Sequence, residues 1–124
     1  MSASEIFRLA ADLSAAGPKM VPPLRKVFDE IGNRTAREWA ANATATSGVH
    51  GKHYPKSIDH ELAFSLNIAV EVGPNSAKPQ GVMGRGFEFG SVNQPPHLDG
   101  LKAVTKMEKV AETMAEQAVR PLLP

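Results

Sequence analysis

The sequence predicts an α+β fold with two N-terminal helices, a small antiparallel sheet of three to four strands, and a C-terminal helix packed on the sheet. Apolar residues recur at helical spacing in the first and last thirds of the chain, and between them they alternate with polar residues. Glycine and proline clusters separate the regions. The 124 residues form one domain, with a helical part at 1–43, a loop at 44–56, a sheet at 57–91 and a helix at 97–120.

Two helices are predicted in the N-terminal part. The first runs from Ser4 to Ala15 and ends at Gly17-Pro18. Its apolar stripe is Ile6, Leu9, Ala10 and Leu13. So short a helix needs a partner surface to persist. The second begins at Pro22 or Pro23 and runs to about Ala43, with charges of alternating sign on its outer side: Lys26, Glu30, Arg34 and Glu38.

An alternating stretch from Ile58 to Val72 predicts the sheet. The even positions are apolar except His60, whereas the odd positions carry most of the polar side chains. Because this stretch is long for one strand, we expect a bend near residues 63–65 that divides it into strands at 57–62 and 66–73. We expect His60 to lie near solvent or to bond to the backbone.

A third strand is predicted at about Arg85 to Gly90, after a glycine-rich loop at 75–84. On a strand, Glu88 faces away from Phe87 and Phe89. It is then either a solvated residue or one half of a salt bridge between subunits, and Arg85 is a further candidate contact.

The C-terminal helix is predicted from Asp99, as its cap, to Val119. One outer stripe carries Glu108, Glu112 and Glu116 and another carries lysines. Since like charges four residues apart oppose helix formation, a neighbouring subunit of opposite charge is one explanation for them, and an ordinary solvated face is the other.

The loop at 44–56 is rich in small residues and contains Lys52, His53 and Lys56. We expect it either to be mobile and to order against a partner, or to have no role. His50 and His53 are three positions apart, but glycines flank them and no cysteine or nearby carboxylate completes a metal site. No metal or other cofactor is therefore predicted.

Composition narrows the classes of function. The net charge of +1 gives no general case for binding nucleic acid or membrane, and the chain has no cysteine. No apolar run predicts a membrane span or a signal peptide, so we expect the protein to act in the cytoplasm or on a particle assembled there. No motif places a nucleophile, a base and an acid together, so we expect no enzyme.

Four segments in a fixed order resemble a family of small bacteriophage morphogenesis proteins known as head-tail joining, neck or tail-completion proteins. They are Gly51 to Ile58, Val70-Glu71-Val72-Gly73-Pro74, Phe87-Glu88-Phe89-Gly90-Ser91, and Pro95-Pro96-His97-Leu98 with the helix that follows. The resemblance covers residues 47–123. Tyr54-Pro55-Lys56 replaces the usual basic run of the family, and the loop at 75–84 is plain.

The resemblance implies a structural virion protein of the neck, assembled in the host cytoplasm. It implies a homohexameric ring between the capsid connector and the tail tube, with neighbouring neck or tail-terminator proteins as partners and DNA passing through the lumen. The loops at 43–56 and 75–84 would reach the adjacent rings.

Two rival functions stay open. One is a tail-terminator or head-closure ring of the same particle. The other is a small regulatory domain that binds nucleic acid through Arg25, Lys26, Arg34 and Arg37. The excess of basic over acidic residues between 17 and 56 is compatible with a ring in which one part faces a DNA channel or an acidic neighbour, and such an asymmetry is also common by chance.

Overall fold

The computed structural model describes residues 21–64, 68–92 and 94–122. Its helices are α1 (Val21–Thr46), α2 (Gly84–Phe89) and α3 (Asp99–Val119), and its strands are β1 (Ile58–Phe64) and β2 (Ile68–Pro74). Short 3-10 turns lie at Pro55–Ser57, Gly81–Met83 and Arg120–Leu122. The predicted helix at residues 4–15 lies outside the described residues.

The sheet is an antiparallel pair of β1 and β2, and within the described ranges neither strand pairs with a third. The register places Leu62 opposite Val70 and Glu61 opposite Glu71. Even positions therefore share one face across both strands, as the alternation predicts. The division of the alternating stretch into two antiparallel strands is confirmed, with strand ends one or two residues beyond those predicted, while the predicted bend falls mostly on residues 65–67, outside the described residues.

Helix α1 crosses the apolar face of the sheet at Gly32. A Cβ atom at this position would clash with Cγ2 of Val70 and would lie 2.8 Å from Cδ2 of His60. Only a residue without a side chain allows the helix backbone so close to the strands. Beside this crossing, Nε2 of His60 lies 2.9 Å from Oδ1 of Asp29. His60 thus bonds to a helix side chain rather than to the backbone.

Helix α3 packs along α1, and the two helices share an apolar core with the sheet. The buried residues of this core are Leu24, Phe28, Ile31, Ala115 and Val119. Ala111 and Met114 of α3 pack against it, as do Leu62 and Val70 of the two strands. The predicted C-terminal helix over the sheet is confirmed, and α1 is its principal partner.

A second core forms around Tyr54, which is fully buried and stacks on Phe87 with ring centroids 4.5 Å apart. Ala36, Ala43 and Ile58 are buried in the same cluster. This core joins the end of α1 to the loop before β1 and to α2.

The predicted third strand is wrong, because residues 84–89 form the short helix α2. Gly84, Phe87 and Glu88 are its buried residues, at the spacing of one helix face. Phe89 is 69% exposed. The carbonyl groups of Phe87 and Glu88 accept hydrogen bonds from the backbone N–H groups of His97 and Leu98, so the segment before α3, and not a neighbouring strand, satisfies them.

Replacement of Phe87 by alanine should lower the free energy of unfolding by about 3–5 kcal/mol, because the substitution leaves a cavity against Tyr54. Phe89→Ala is the matched control, and because this ring is exposed, the substitution should change the free energy of unfolding by no more than about 0.5 kcal/mol. Urea unfolding of both variants measures the difference. Equal losses would contradict the helical assignment of residues 84–89.

Candidate interaction surfaces

The side chain of Glu88 caps the N-terminus of α3. The backbone N–H of Gly100 donates to both carboxylate oxygens, at 2.8 Å to Oε2 and 3.1 Å to Oε1. Glu88 is only 7% exposed, and it approaches the positive end of the helix dipole. The expected outward-facing strand residue is thus a buried cap supplied from twelve positions earlier in the chain.

Asp99 adds a second buried carboxylate at the same helix end. Its Oδ2 accepts a hydrogen bond of 2.6 Å from Oγ1 of Thr46, and its backbone carbonyl accepts one of 3.1 Å from Nδ2 of Asn42. Nδ1 of His97 lies 3.9 Å from the same Oδ2. Asp99, predicted as the cap of its own helix, instead holds that helix to the C-terminal end of α1.

Tyr54 lies close to Trp39 and within electrostatic reach of both carboxylates. Its hydroxyl accepts a hydrogen bond of 3.3 Å from Nε1 of Trp39. Burial is the main cause that raises the pKa of Tyr54, and the negative charges of Glu88 and Asp99 raise it further, whereas the bond from Trp39 opposes them. The phenol is consequently held in its neutral form.

The loop that follows α1 is anchored along its length. The side chain of Gln80 accepts a hydrogen bond from the backbone N–H of His53 and donates one to the carbonyl of His50. Gly51 is buried against Phe87. This segment is therefore tied to the core and to residues 75–84, while the side chains of Lys52, His53 and Lys56 are exposed. Its mobility stays a prediction.

An apolar groove, of about 540 Å³, opens between α2, the start of α3 and Trp39. Its most exposed apolar side chains are Phe89 at 69%, Leu101 at 59% and Val104 at 47%. The other lining residues are Trp39, Pro74, Gly84, Arg85, Glu88, Leu98 and Gly100. Arg85, one of the predicted contact residues, is exposed there. Nothing in the sequence pattern indicated this groove, because a strand at residues 85–90 would not form it.

The outer face of the sheet is acidic. Glu61 and Glu71 lie directly opposite each other and are both exposed, an arrangement that weakens strand pairing. Nearby, Nζ of Lys78 lies 2.9 Å from Asp59. The hydrogen bonds from Lys78 and Asn75 hold the pKa of the Asp59 carboxyl below its usual range.

The predicted charged stripes lie on α3. Glu108 is exposed, and Glu112 and Glu116 are half-buried. In the lysine stripe, Lys106 lies 3.0 Å from Oε2 of Glu38 on α1. Part of the charge that suggested a neighbouring subunit is thus balanced within the chain.

The basic residues assigned to a nucleic-acid function are all on α1 and exposed: Arg25, Lys26, Arg34 and Arg37. The guanidinium of Arg34 lies 3.0 Å from Glu30, as the alternating charges predict.

Within the described residues, no group of three or more His, Asp or Glu side chains lies close enough together to hold a metal ion. Across the same part of the chain, no helix combines the length and apolar character that crossing a membrane requires.

Comparison with known proteins gives no relative. The chain matches no protein-family model, no curated protein and no solved structure. The geometry of its own surfaces is thus the basis for assigning a function.

Glu88→Ala should lower the free energy of unfolding by about 1–3 kcal/mol, because the N–H of Gly100 would stay buried without a partner. Glu108→Ala removes the same charge from an exposed site and should change it by no more than about 0.5 kcal/mol. Chemical denaturation of both variants tests this. A silent Glu88→Ala would show that the cap does not stabilise the fold.

Tyr54 is the sole tyrosine of the sequence, so the ultraviolet absorbance of phenolate reports it alone. In the folded chain the pKa of Tyr54 should lie above its ordinary value of 10.0, and unfolding in urea should return it to that value. Because folding raises this pKa, the neutral phenol contributes fully to the free energy of unfolding at any pH below the pKa of the unfolded chain. That contribution is lost as the pH rises through the pKa of the folded chain. Identical midpoints in the folded and unfolded chain would contradict the burial of Tyr54.

Proposed function

We propose that the protein is a structural component of the bacteriophage neck, a tail-completion or head-to-tail joining ring. Six copies would form a closed ring between the capsid connector and the tail tube, with genomic DNA passing through the lumen. Its action would be shape and charge complementarity between proteins rather than catalysis.

The observation that carries this proposal is the convergence of the family-like segments on one surface. Pro74 from the second segment, Phe89 from the third and Leu98 from the fourth all line the apolar groove. These segments lie apart in the sequence. A shared apolar surface is what a protein that functions by contact with other proteins would keep.

The sheet supports the same proposal. Within the described ranges it has two strands, and one edge of each is unpaired. Two-stranded sheets are marginal without further cover, and free edges are open to pairing with another chain. Copies placed side by side would cover these edges.

The charge distribution favours a role around DNA over a role as a DNA-binding domain. The net charge is +1, and two of the cations on the exposed faces, Arg34 and Lys106, are paired with carboxylates of the same chain. Tight phosphate binding needs several free cations on one surface. A lumen through which DNA must slide needs only weak attraction.

The test is electron cryomicroscopy of the phage that encodes the chain, with and without the gene. In the complete particle the chain should form a ring in the neck. Without it, filled heads and finished tails should accumulate unjoined. Joined, infectious particles in its absence would overturn the proposal.

Other outcomes would favour the rivals instead. Tails of irregular length would indicate a tail terminator, and heads that lose their DNA would indicate a head-closure ring. Strongly salt-dependent binding of the isolated chain to free duplex DNA would favour the nucleic-acid-binding domain.

A further inference from the structure

We infer that the apolar groove receives the N-terminal segment, residues 4–15, of a second copy of the chain. Each copy would then insert its own segment into one neighbour and accept the segment of another. This contact would link copies whether or not they belong to a phage neck, so it stands apart from the proposed function.

The groove has the character of a helix-binding site. Phe89 of α2 forms one wall, Leu101 and Val104 of α3 form the other, and Trp39 lies between them. The lining of the groove is almost wholly apolar. Grooves of this kind bind one apolar face of an amphipathic helix.

The N-terminal segment matches that requirement in sequence. Its apolar residues at positions 6, 9, 10 and 13 follow the spacing of one helix face. A helix of about twelve residues is marginal in water, so the segment needs an apolar surface to form. Its two acidic residues, Glu5 and Asp12, also suit the exposed Arg85 in the groove wall.

The reach of the chain favours a second copy as the source. The start of α1 packs with the end of α3, since Val21 contacts the core that contains Val119. Trp39 lies eighteen positions further along the helix, or about 27 Å from Val21 at 1.5 Å per residue. From Val21, six fully extended steps to Ala15 and six helical steps to Leu9, in the middle of the apolar stripe, span at most about 29–31 Å. To bring its own Leu9 to Trp39, the chain would therefore need nearly complete extension through Gly17-Pro18, a sequence that favours a turn.

An insertion from copy to copy is a heterologous contact, since the donating and accepting surfaces differ. Repeated by rotation, such a contact gives a closed ring, or an open filament if the rotation does not close. A two-fold rotation would close the contact as a dimer that exchanges segments, so the inference predicts self-association of two or more copies.

Disulfide trapping tests the contact. Because the chain has no cysteine of its own, only the introduced cysteines can form a disulfide. A protein with Leu9→Cys and a second with Leu101→Cys are mixed and oxidised. We expect a mixed disulfide-linked dimer at high yield. Two controls move the cysteine out of the contact: Arg8→Cys, on the opposite helix face, and Lys109→Cys, two turns along α3.

The double variant, Leu9→Cys with Leu101→Cys in one chain, identifies the source of the segment. Linked oligomers on a denaturing gel would support insertion between copies. Internally linked monomers at every concentration would overturn it in favour of the chain's own segment. Cross-linking no stronger than that of the Arg8→Cys and Lys109→Cys controls would overturn docking altogether.

Solution measurements on the full chain give an independent test. Leu101→Asp and Leu9→Asp should each raise the concentration at half-association by at least about tenfold. Val49→Asp, at an apolar residue that is 84% exposed and outside the groove, should leave it unchanged. Fluorescence of Trp39, the sole tryptophan, should shift to longer wavelength in the first two variants only. Unchanged mass and emission in Leu9→Asp would overturn the inference.

Discussion

The contact between the Glu88 carboxylate and the N–H of Gly100 is the constraint on which the rest of the arrangement depends. It joins α2 to the start of α3, two elements that otherwise meet through backbone bonds of the connecting segment. It also requires glycine, because a Cβ atom at position 100 would lie 2.5 Å from Oε2 of Glu88 and 2.6 Å from the Trp39 ring. Close approach at this point sets Phe89 beside Leu101 and so creates the groove.

Buried polar groups organise this half of the molecule, whereas apolar packing organises the other. Around Leu24 and Phe28, the buried core between two helices and the sheet consists of aliphatic and aromatic side chains. Around Tyr54, two carboxylates and an indole N–H lie beside stacked rings. A buried polar network tolerates few alternative arrangements, because each displaced group loses its partner. The groove therefore has a defined shape even though its walls are exposed.

The two long helices, α1 and α3, and the two strands could be predicted because their patterns are strong and local. The alternation across Leu62 and Val70, together with the apolar stripe of α1, reflects one buried face each, which periodicity reveals directly. The residues from 84 to 89 could not be predicted in this way. Two phenylalanines around Glu88 fit a strand, and the helix forms because Phe87 is buried against Tyr54 and Glu88 bonds to Gly100. Both contacts are distant in sequence.

The candidate contact residues show the same division. Exposure of Lys52, Arg85 and Glu108 follows from their charge, and the structure places them at the surface. Burial of Glu88 could not be inferred from residue type, since carboxylates are seldom buried without a partner and its partner is a backbone N–H. The groove could not be predicted from the sequence for a related reason, because it exists only where α2 and α3 come together in the folded chain.

Amide hydrogen exchange at Gly100, followed by nuclear magnetic resonance, tests this central contact most directly. If a buried carboxylate holds the N–H, the amide should exchange only through an opening that also separates α2 from α3, and Glu88→Ala should accelerate its exchange more than that of amides in the middle of α1. Exchange at Gly100 as fast as that of a solvent-exposed amide in the unaltered chain would contradict the account.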